Sequence, residues 1–255
     1  MTWNNFLLQL IDVAIKYLFI AVPVFFIFYV LLKNRIAHKK IQSKFPKSKD
    51  HIRDTLFSIL SMILFAVPPL LILQNDAIRP HTTFYQNINE HSKVYFFLAF
   101  PIMMLMHDTY FYWIHRLMHS PLLFKTFHLV HHRSTNPSPL AAYAFHPLEA
   151  VLESLIFVIY LFTIPVHPIH IAVYFAFSMF YNVYGHLGFE LFPNGFNKHW
   201  LGKWMITSVC HNQHHHYFKG NYGLYFTFWD RSMGTLRSDY DTTFEEVTSR
   251  KRIKA

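Results

Sequence analysis

The chain has 255 residues, of which 53% are hydrophobic, 19% aromatic and only 15% charged. This composition excludes a disordered protein, and it disfavours a soluble globule, which carries about 25% charged residues. The single Cys210 excludes an intrachain disulfide. The net charge of +9 comes mostly from Lys33 to Arg53, where eight Lys or Arg accompany one acid. A nucleic-acid binder would spread its basic residues over a groove. We therefore expect an integral membrane protein with no nucleic-acid partner.

Three apolar runs predict membrane helices in the first half of the chain. Phe6 to Leu32 exceeds the roughly 20 residues that a bilayer requires, and it lacks the basic front of a signal peptide. The basic segment Lys33–Arg53 that follows belongs in the cytoplasm by the positive-inside rule, which places the N-terminus outside. Thr55 to Leu73 predicts a second span. Val94 to Met106, continuing into Tyr110–Trp113, predicts a third.

Two further apolar runs follow, Val151 to Val166 and Ile169 to Tyr184. The Pro165–Pro168 break between them predicts a helical hairpin that dips into the membrane and returns. We therefore predict an all-α fold. It is a multi-pass membrane bundle of about four to five transmembrane or re-entrant helices, with a histidine-rich helical cap on the cytoplasmic side that holds two metals.

Histidines concentrate in the second half: 15 of the 19 lie between His107 and His216. Residues four apart on a helix project from the same face, and histidine is the commonest metal ligand. Nine imidazoles exceed the four ligands of a zinc site, so they suit two metals with about four or five ligands each. Imidazole accepts Zn, Cu, Fe and Ni alike. The predicted metal site consists of His115, His119, His128, His131, His132, His186, His211, His214 and His215.

These residues stand in motifs that resemble the fatty acid hydroxylase/sterol desaturase superfamily of membrane oxygenases. The motifs are Asp108-Thr-Tyr-Phe-Tyr-Trp-Ile-His-Arg-Leu-Met-His119, His128-x-x-His131-His132, His186-Leu-Gly-Phe and His211-x-x-His214-His215. The stretch Asn221-Tyr-Gly-Leu-Tyr-Phe-Thr-Phe-Trp-Asp-Arg231 resembles the C-5 sterol desaturase (lathosterol oxidase) branch most. The resemblance implies a cytosolic di-iron site on the nine histidines, with two Fe per chain and O2 as co-substrate.

The resemblance also implies an activity and an organisation. The activity is O2-dependent hydroxylation or desaturation of a C–H position in a lipid, either a sterol or isoprenoid or a fatty-acyl chain. We expect N-terminal transmembrane helices with the basic loop in residues 1–93, and a catalytic domain in residues 94–240. Residues 241–255 should be a charged tail that is loosely ordered from Glu245 to Ala255. The sequence assigns no catalytic residue beyond the metal site.

Electrons must come from outside, because no flavin, haem or nicotinamide motif is visible. A small cytochrome or a ferredoxin with its reductase would serve as donor. The basic loop Lys33–Arg53 either docks such an acidic carrier or only sets the membrane topology.

Three residues beside the motifs have open roles. Some members of the superfamily carry another histidine four residues before the one matching His186, and here that position is Asn182. His146 is a possible neighbour of the ligands. His216 replaces His215 if the local register differs.

Acidic residues near the motifs also have two interpretations. Asp108 either orients a ligand imidazole or is a charge at a helix end. Glu149 and Glu153 are expected chiefly as an acidic helix start that the helix dipole favours, with a role beside a ligand as the alternative.

Two other functions compete with the oxygenase. A non-redox zinc-dependent lipid hydrolase would need an acid–base residue such as Glu149 near the metals. A metal transporter or sensor would place its ligands at mid-membrane, whereas these clusters lie at the ends of predicted spans.

Overall fold

The structure is a computed structural model that describes residues 2–251. Within that range three helices are long and apolar enough to cross a membrane: α1 (Trp3–Leu31), α2 (Ser48–Leu73) and α3 (Lys93–Met118). They coincide with the three predicted spans. Phe19 of α1 and Phe97 of α3 leave about three quarters of their surfaces exposed, at 74% and 75%. Such apolar surfaces suit contact with lipid.

Prolines shape the first two spans without ending them. Pro23 lies within α1 between two wide π-helical turns, Tyr17–Ala21 and Phe26–Leu31. The α2 helix breaks at Ala66 and resumes at Val67, so that Pro68 falls in the first turn of its second part. A proline is tolerated there because the first-turn N–H groups have no intrahelical acceptor to lose.

Six shorter helices complete the described chain, which contains isolated bridges and no extended strand. They are α4 (residues 124–132), α5 (Pro147–Thr163), α6 (Pro168–Gly185), α7 (Ser208–Tyr217), α8 (Phe228–Ser232) and α9 (Tyr240–Ser249). The α5 and α6 helices form the hairpin expected from the proline break. The predicted all-α fold with apolar spans is confirmed.

The main core joins this hairpin to α3. Tyr160 of α5 and Tyr174 of α6 are fully buried against Met103 of α3. The Tyr160 hydroxyl donates to the Met103 carbonyl at 2.7 Å. A buried tyrosine needs such a partner, and here the bond spans two helices. This packing fixes the position of α5 along α3. Both helices extend to the histidine-rich region.

The expectation of a loosely ordered tail is wrong for the part that the structure describes. Residues 240–249 form α9, and its Tyr240, Phe244 and Val247 are buried against Val209 and Cys210. Their i, i+4, i+7 spacing is that of one helix face. The charged neighbours obscured this short stripe in the sequence. Residues 252–255 of the predicted tail lie outside the described residues.

The basic loop between α1 and α2 packs against the histidine-rich region. Lys40 is buried, and its Nζ donates to Asn136 Oδ1 at 3.0 Å. Gln42 Nε2 donates to Asn212 Oδ1 of α7 at 2.9 Å. Part of this positive segment is therefore structural, whereas Lys44, Lys47 and Lys49 remain exposed.

Candidate metal centre

The nine predicted histidines converge into two adjacent groups. Within each group the ring nitrogens that could bind a metal lie within 4.8 Å of one another. The first group has five members, His115, His119, His128, His132 and His214, and the second has four, His131, His186, His211 and His215. The structure thus brings all nine together; that they bind metal remains a prediction.

The repeated His-x-x-His-His spacing explains why there are two groups. On α4 the i, i+4 pair His128 and His132 enters the five-histidine group, whereas His131 enters the other. On α7 the i, i+4 pair His211 and His215 enters the four-histidine group, whereas His214 crosses to the first. Each helix therefore presents two faces, one to each group, as 3.6 residues per turn require.

Three Nε2 atoms in the five-histidine group form a triangle. His132 lies 3.0 Å from His214, and His119 lies 3.1 Å from both. His186, His211 and His215 form a similar triangle in the other group, with Nε2 separations of 3.1–3.2 Å. Two nitrogens on one metal at about 2.0–2.1 Å lie about 2.9–3.4 Å apart. The observed spacing therefore fits a shared cation in each group.

The outer nitrogens determine the tautomers. Four Nδ1 atoms lie 2.8–3.0 Å from backbone carbonyls, so they carry the proton and donate: His115 to Tyr222, His186 to Asn182, His214 to Gly220 and His215 to Ser134. Their Nε2 atoms are then unprotonated and face other ring nitrogens. Lone pairs held this close repel unless a cation lies between them, so the donor set fits bound metal.

Burial keeps these imidazoles neutral. It lowers the pKa of His186 to about 4, and it lowers that of His119, beside His214, to about 2. A buried group loses its charged form because desolvation disfavours the ion. Neutral imidazole is the form that ligates metals, so both rings are available for metal at neutral pH.

Glu149 contacts a candidate ligand directly. Its Oε1 lies 2.6 Å from His128 Nδ1, and both side chains are buried. Glu149 stands in the first turn of α5, as expected. It also lies beside a candidate ligand, which was the alternative expectation from the sequence. The partners are 21 positions apart in the sequence, which hides the contact from any local pattern. Carboxylates in this position orient a ligand imidazole and raise its basicity.

The three residues whose roles were open lie outside both groups. The amide of Asn182 donates to the Ala142 carbonyl at 2.7 Å. The His146 ring accepts the Leu148 N–H and caps α5. His216 is exposed, whereas His215 is buried within the four-histidine group.

Asp108 does not orient a histidine, nor is it a charge at a helix end, because it lies within α3. It is buried, and its Oδ1 accepts the N–H groups of Tyr225 and Phe226 at 2.8 and 3.0 Å. Asp230, which sequence reasoning missed, accepts those of Tyr222 and Gly223 at 2.9 and 2.8 Å. The two carboxylates fasten the loop whose Tyr222 carbonyl orients His115. Their role is to support the site.

An elongated cavity of about 370 Å³ adjoins the groups. Its wall on α6 extends from Pro168 to Asn182, about 21 Å at 1.5 Å per residue. At its inner end lie the rings of Phe111 and Phe145, whose centroids are 4.8 Å from His115 and 4.9 Å from His131, respectively. The walls are mainly apolar side chains of α1, α2, α3, α5 and α6. A long apolar molecule therefore fits with one end near the histidines.

Comparison with known proteins identifies the family. The model of the fatty acid hydroxylase family matches residues 100–235, just over half of the chain and the part that holds all nine histidines. The chain belongs to the fatty acid hydroxylase family. The resemblance predicted from the motifs is thereby confirmed. No solved structure matches this family member.

Curated relatives are consistent with the C-5 sterol desaturase branch. The chain is 31% identical over 218 residues to a Delta(7)-sterol 5(6)-desaturase of Aspergillus fumigatus, covering 85% of this chain and 58% of the relative. A Leptosphaeria maculans enzyme of the same name is 30% identical over 237 residues, covering 92% and 62%. Lathosterol oxidase of Rattus norvegicus is 31% identical over 198 residues, covering 76% and 62%. The chain therefore spans about three fifths of the length of these relatives.

Proposed function

We propose that this protein is a membrane-bound non-haem di-iron enzyme that uses O2 and two electrons to desaturate or hydroxylate a lipid. The observation that carries the proposal is the position of the two histidine groups at the inner end of an elongated apolar cavity. The relatives are named for action on Delta(7)-sterols and lathosterol, so a sterol is the substrate we favour.

The nine histidines would hold two irons, five donors on one and four on the other. When bound, the irons supply the O2 chemistry that breaking an unactivated C–H bond requires. The protein holds the ligands in place: Glu149 bonds His128, and the Tyr222 carbonyl bonds His115. Such outer contacts fix which ring nitrogen faces the metal.

The cavity would hold and orient the substrate. Its apolar wall matches the body of a lipid, and filling it excludes water from the reacting end. Phe111 and Phe145 separate the cavity from the imidazoles and set how closely a substrate carbon approaches. A small shift of that carbon would decide between hydroxylation and desaturation.

The electron donor would be a separate acidic carrier, either a small cytochrome or a ferredoxin with its reductase. We place the histidine groups on the cytoplasmic side, because the basic loop that packs on α7 belongs there by the positive-inside rule. Exposed Lys44, Lys47 and Lys49 of that loop offer a positive surface for the carrier.

The decisive experiment is reconstitution of the protein, purified without oxygen, in lipid with lathosterol as substrate. We expect about two irons per chain and product only when O2 and reductant are both present. Zinc-supported release of fatty acid from a sterol ester, supplied without O2 in a parallel assay, would instead indicate the lipid hydrolase. Metal flux through sealed vesicles would indicate a transporter. Lipid profiles of cells with and without the chain would identify the natural substrate.

A further inference from the structure

Glu153 is a carboxylic acid in an apolar wall. It lies four residues after Glu149 on α5 and lines the cavity together with Phe111, Ile156 and Phe157. In the described part of the chain no group hydrogen-bonds its carboxyl, and the side chain is half-buried in the cavity wall. A polar group in such surroundings costs free energy until a partner satisfies it. The partner is therefore to be sought among molecules that enter the cavity.

Three other polar groups of the wall already have partners within the protein. Lys16 pairs with Asp12, Asn182 donates to the Ala142 carbonyl, and the Ser154 hydroxyl donates to the Val151 carbonyl. Glu153 differs from all three because its hydrogen-bonding capacity remains available to a ligand.

We propose that Glu153 binds the hydroxyl group of a lipid alcohol and so selects the substrate. The inference rests on the proposed function, because it takes the cavity for the substrate site. A hydroxyl donates and accepts, so it pairs with a carboxyl group whether that group is protonated or ionised. An ammonium group would bring a second charge into an apolar space, and a hydrocarbon would leave Glu153 unsatisfied.

The position of Glu153 also restricts where the substrate reacts. Side chains four residues apart on a helix lie about 6 Å from each other, and Glu149 touches His128. The hydroxyl would therefore be held about one helical turn beyond the Glu149–His128 contact, about 10 Å from the histidine groups. The oxidised carbon should lie within a few bonds of the hydroxyl. The rest of the molecule would extend along α6 toward Pro168.

The test measures binding rather than turnover. Detergent-solubilised, metal-loaded protein is titrated with tritiated lathosterol and with 1-hexadecanol, and the methyl ether of each alcohol serves as competitor. We expect wild-type protein to bind at least one alcohol about tenfold more tightly than its ether, the value of one net hydrogen bond. In Glu153→Leu the affinities for the alcohol and for its ether should differ by no more than about twofold. Glu153→Gln should retain the preference, because an amide still donates and accepts.

Thr163→Ala is the matched control, since its exposed hydroxyl is satisfied within α5 and does not line the cavity, and it should bind as wild type does. Metal content and the thermal unfolding midpoint should be unchanged in Glu153→Leu. If that variant fails to fold, Glu153→Met takes its place. A wild type without preference for either alcohol, or a preference that survives Glu153→Leu, would overturn the proposal.

The two proposals fail separately. Discrimination that depends on Glu153, without O2-dependent turnover of lathosterol, contradicts the oxygenase and supports the hydroxyl site. Turnover of lathosterol without that discrimination contradicts the hydroxyl site alone.

Discussion

Five of the nine histidines in the two groups are oriented by an acceptor at the outer nitrogen. Most of these acceptors are backbone carbonyls, which no side-chain substitution removes. Glu149 is different, because its carboxylate can be deleted. It therefore allows a test of ligand orientation that leaves all nine histidines in place.

Glu149→Ala should lower metal affinity about 10–100-fold, the usual effect of losing such an outer partner. The variant leaves the buried His128 Nδ1 without an acceptor, so the ring can rotate or change tautomer. Competition with a chelator measures the affinity. Glu149→Gln keeps an acceptor oxygen, so its metal affinity should lie between those of wild type and Glu149→Ala. Affinity equal to wild type would mean that Glu149 does not orient a ligand.

Histidine substitutions should remove one metal at a time. His131→Ala removes a donor from the four-histidine group, so metal content should fall from about two toward one per chain. His128→Ala should do the same through the other group, and the double variant should hold almost none. Metal analysis of the purified variants measures this, with exposed His216→Ala as control. Complete loss from either single variant would contradict two separable sites.

The convergence of the nine histidines could be predicted from the sequence because eight of them stand in local patterns, an i, i+4 pair and a repeated triplet, whereas His186 stands alone at the end of an apolar run. Their partners could not be predicted. Glu149 meets His128 only because α5 returns beside α4. Asp108 was given the wrong role because a carboxylate two turns from a histidine can face either the ligand or a loop that lies far away in sequence.

At the scale of elements, the loop between α7 and α8 depends on two buried carboxylates. Asp108 and Asp230 each accept two backbone N–H groups from it, and the loop in turn supplies the carbonyl for His115. The motif that most resembles sterol C-5 desaturases therefore works as a support for the metal centre.

Asp230→Ala should destabilise the protein by about 2–5 kcal/mol, because it leaves two buried N–H donors without acceptors. It should also weaken metal retention through His115. Thermal unfolding in detergent, with and without chelator, separates the two effects. Exposed Asp76→Ala is the control. A midpoint unchanged in Asp230→Ala would show that the loop holds its shape without this carboxylate.

The loop between α1 and α2 combines a buried lysine with exposed ones. Replacing Lys44, Lys47 and Lys49 together by Gln should raise the half-saturation concentration of an acidic carrier severalfold at low salt, and less at high salt. Turnover measured at varied carrier concentration gives this half-saturation concentration. Lys93→Gln, on the predicted outer side, serves as control. An unchanged value would leave membrane topology as the role of these charges.

At the scale of the molecule, the long apolar runs predicted the three long apolar helices, because a run of about 20 apolar residues is visible in the sequence without a fold. The helix at Tyr240–Ser249 escaped detection because its stripe of three apolar residues has meaning only against Cys210 and Val209. The cavity was equally hidden, since its walls come from five helices. The sequence does not reveal features that depend on packing between distant segments.

The order in which the two histidine groups are completed along the chain has a consequence for biogenesis. The first ligand is residue 115 and the last is residue 215, and each group needs histidines from α7. The three apolar spans emerge from the ribosome and can enter the bilayer before α7 has been translated. In the proposed di-iron enzyme both irons would therefore be fully coordinated only in a chain that is already anchored, and we expect cofactor loading to be a late maturation step at the membrane surface.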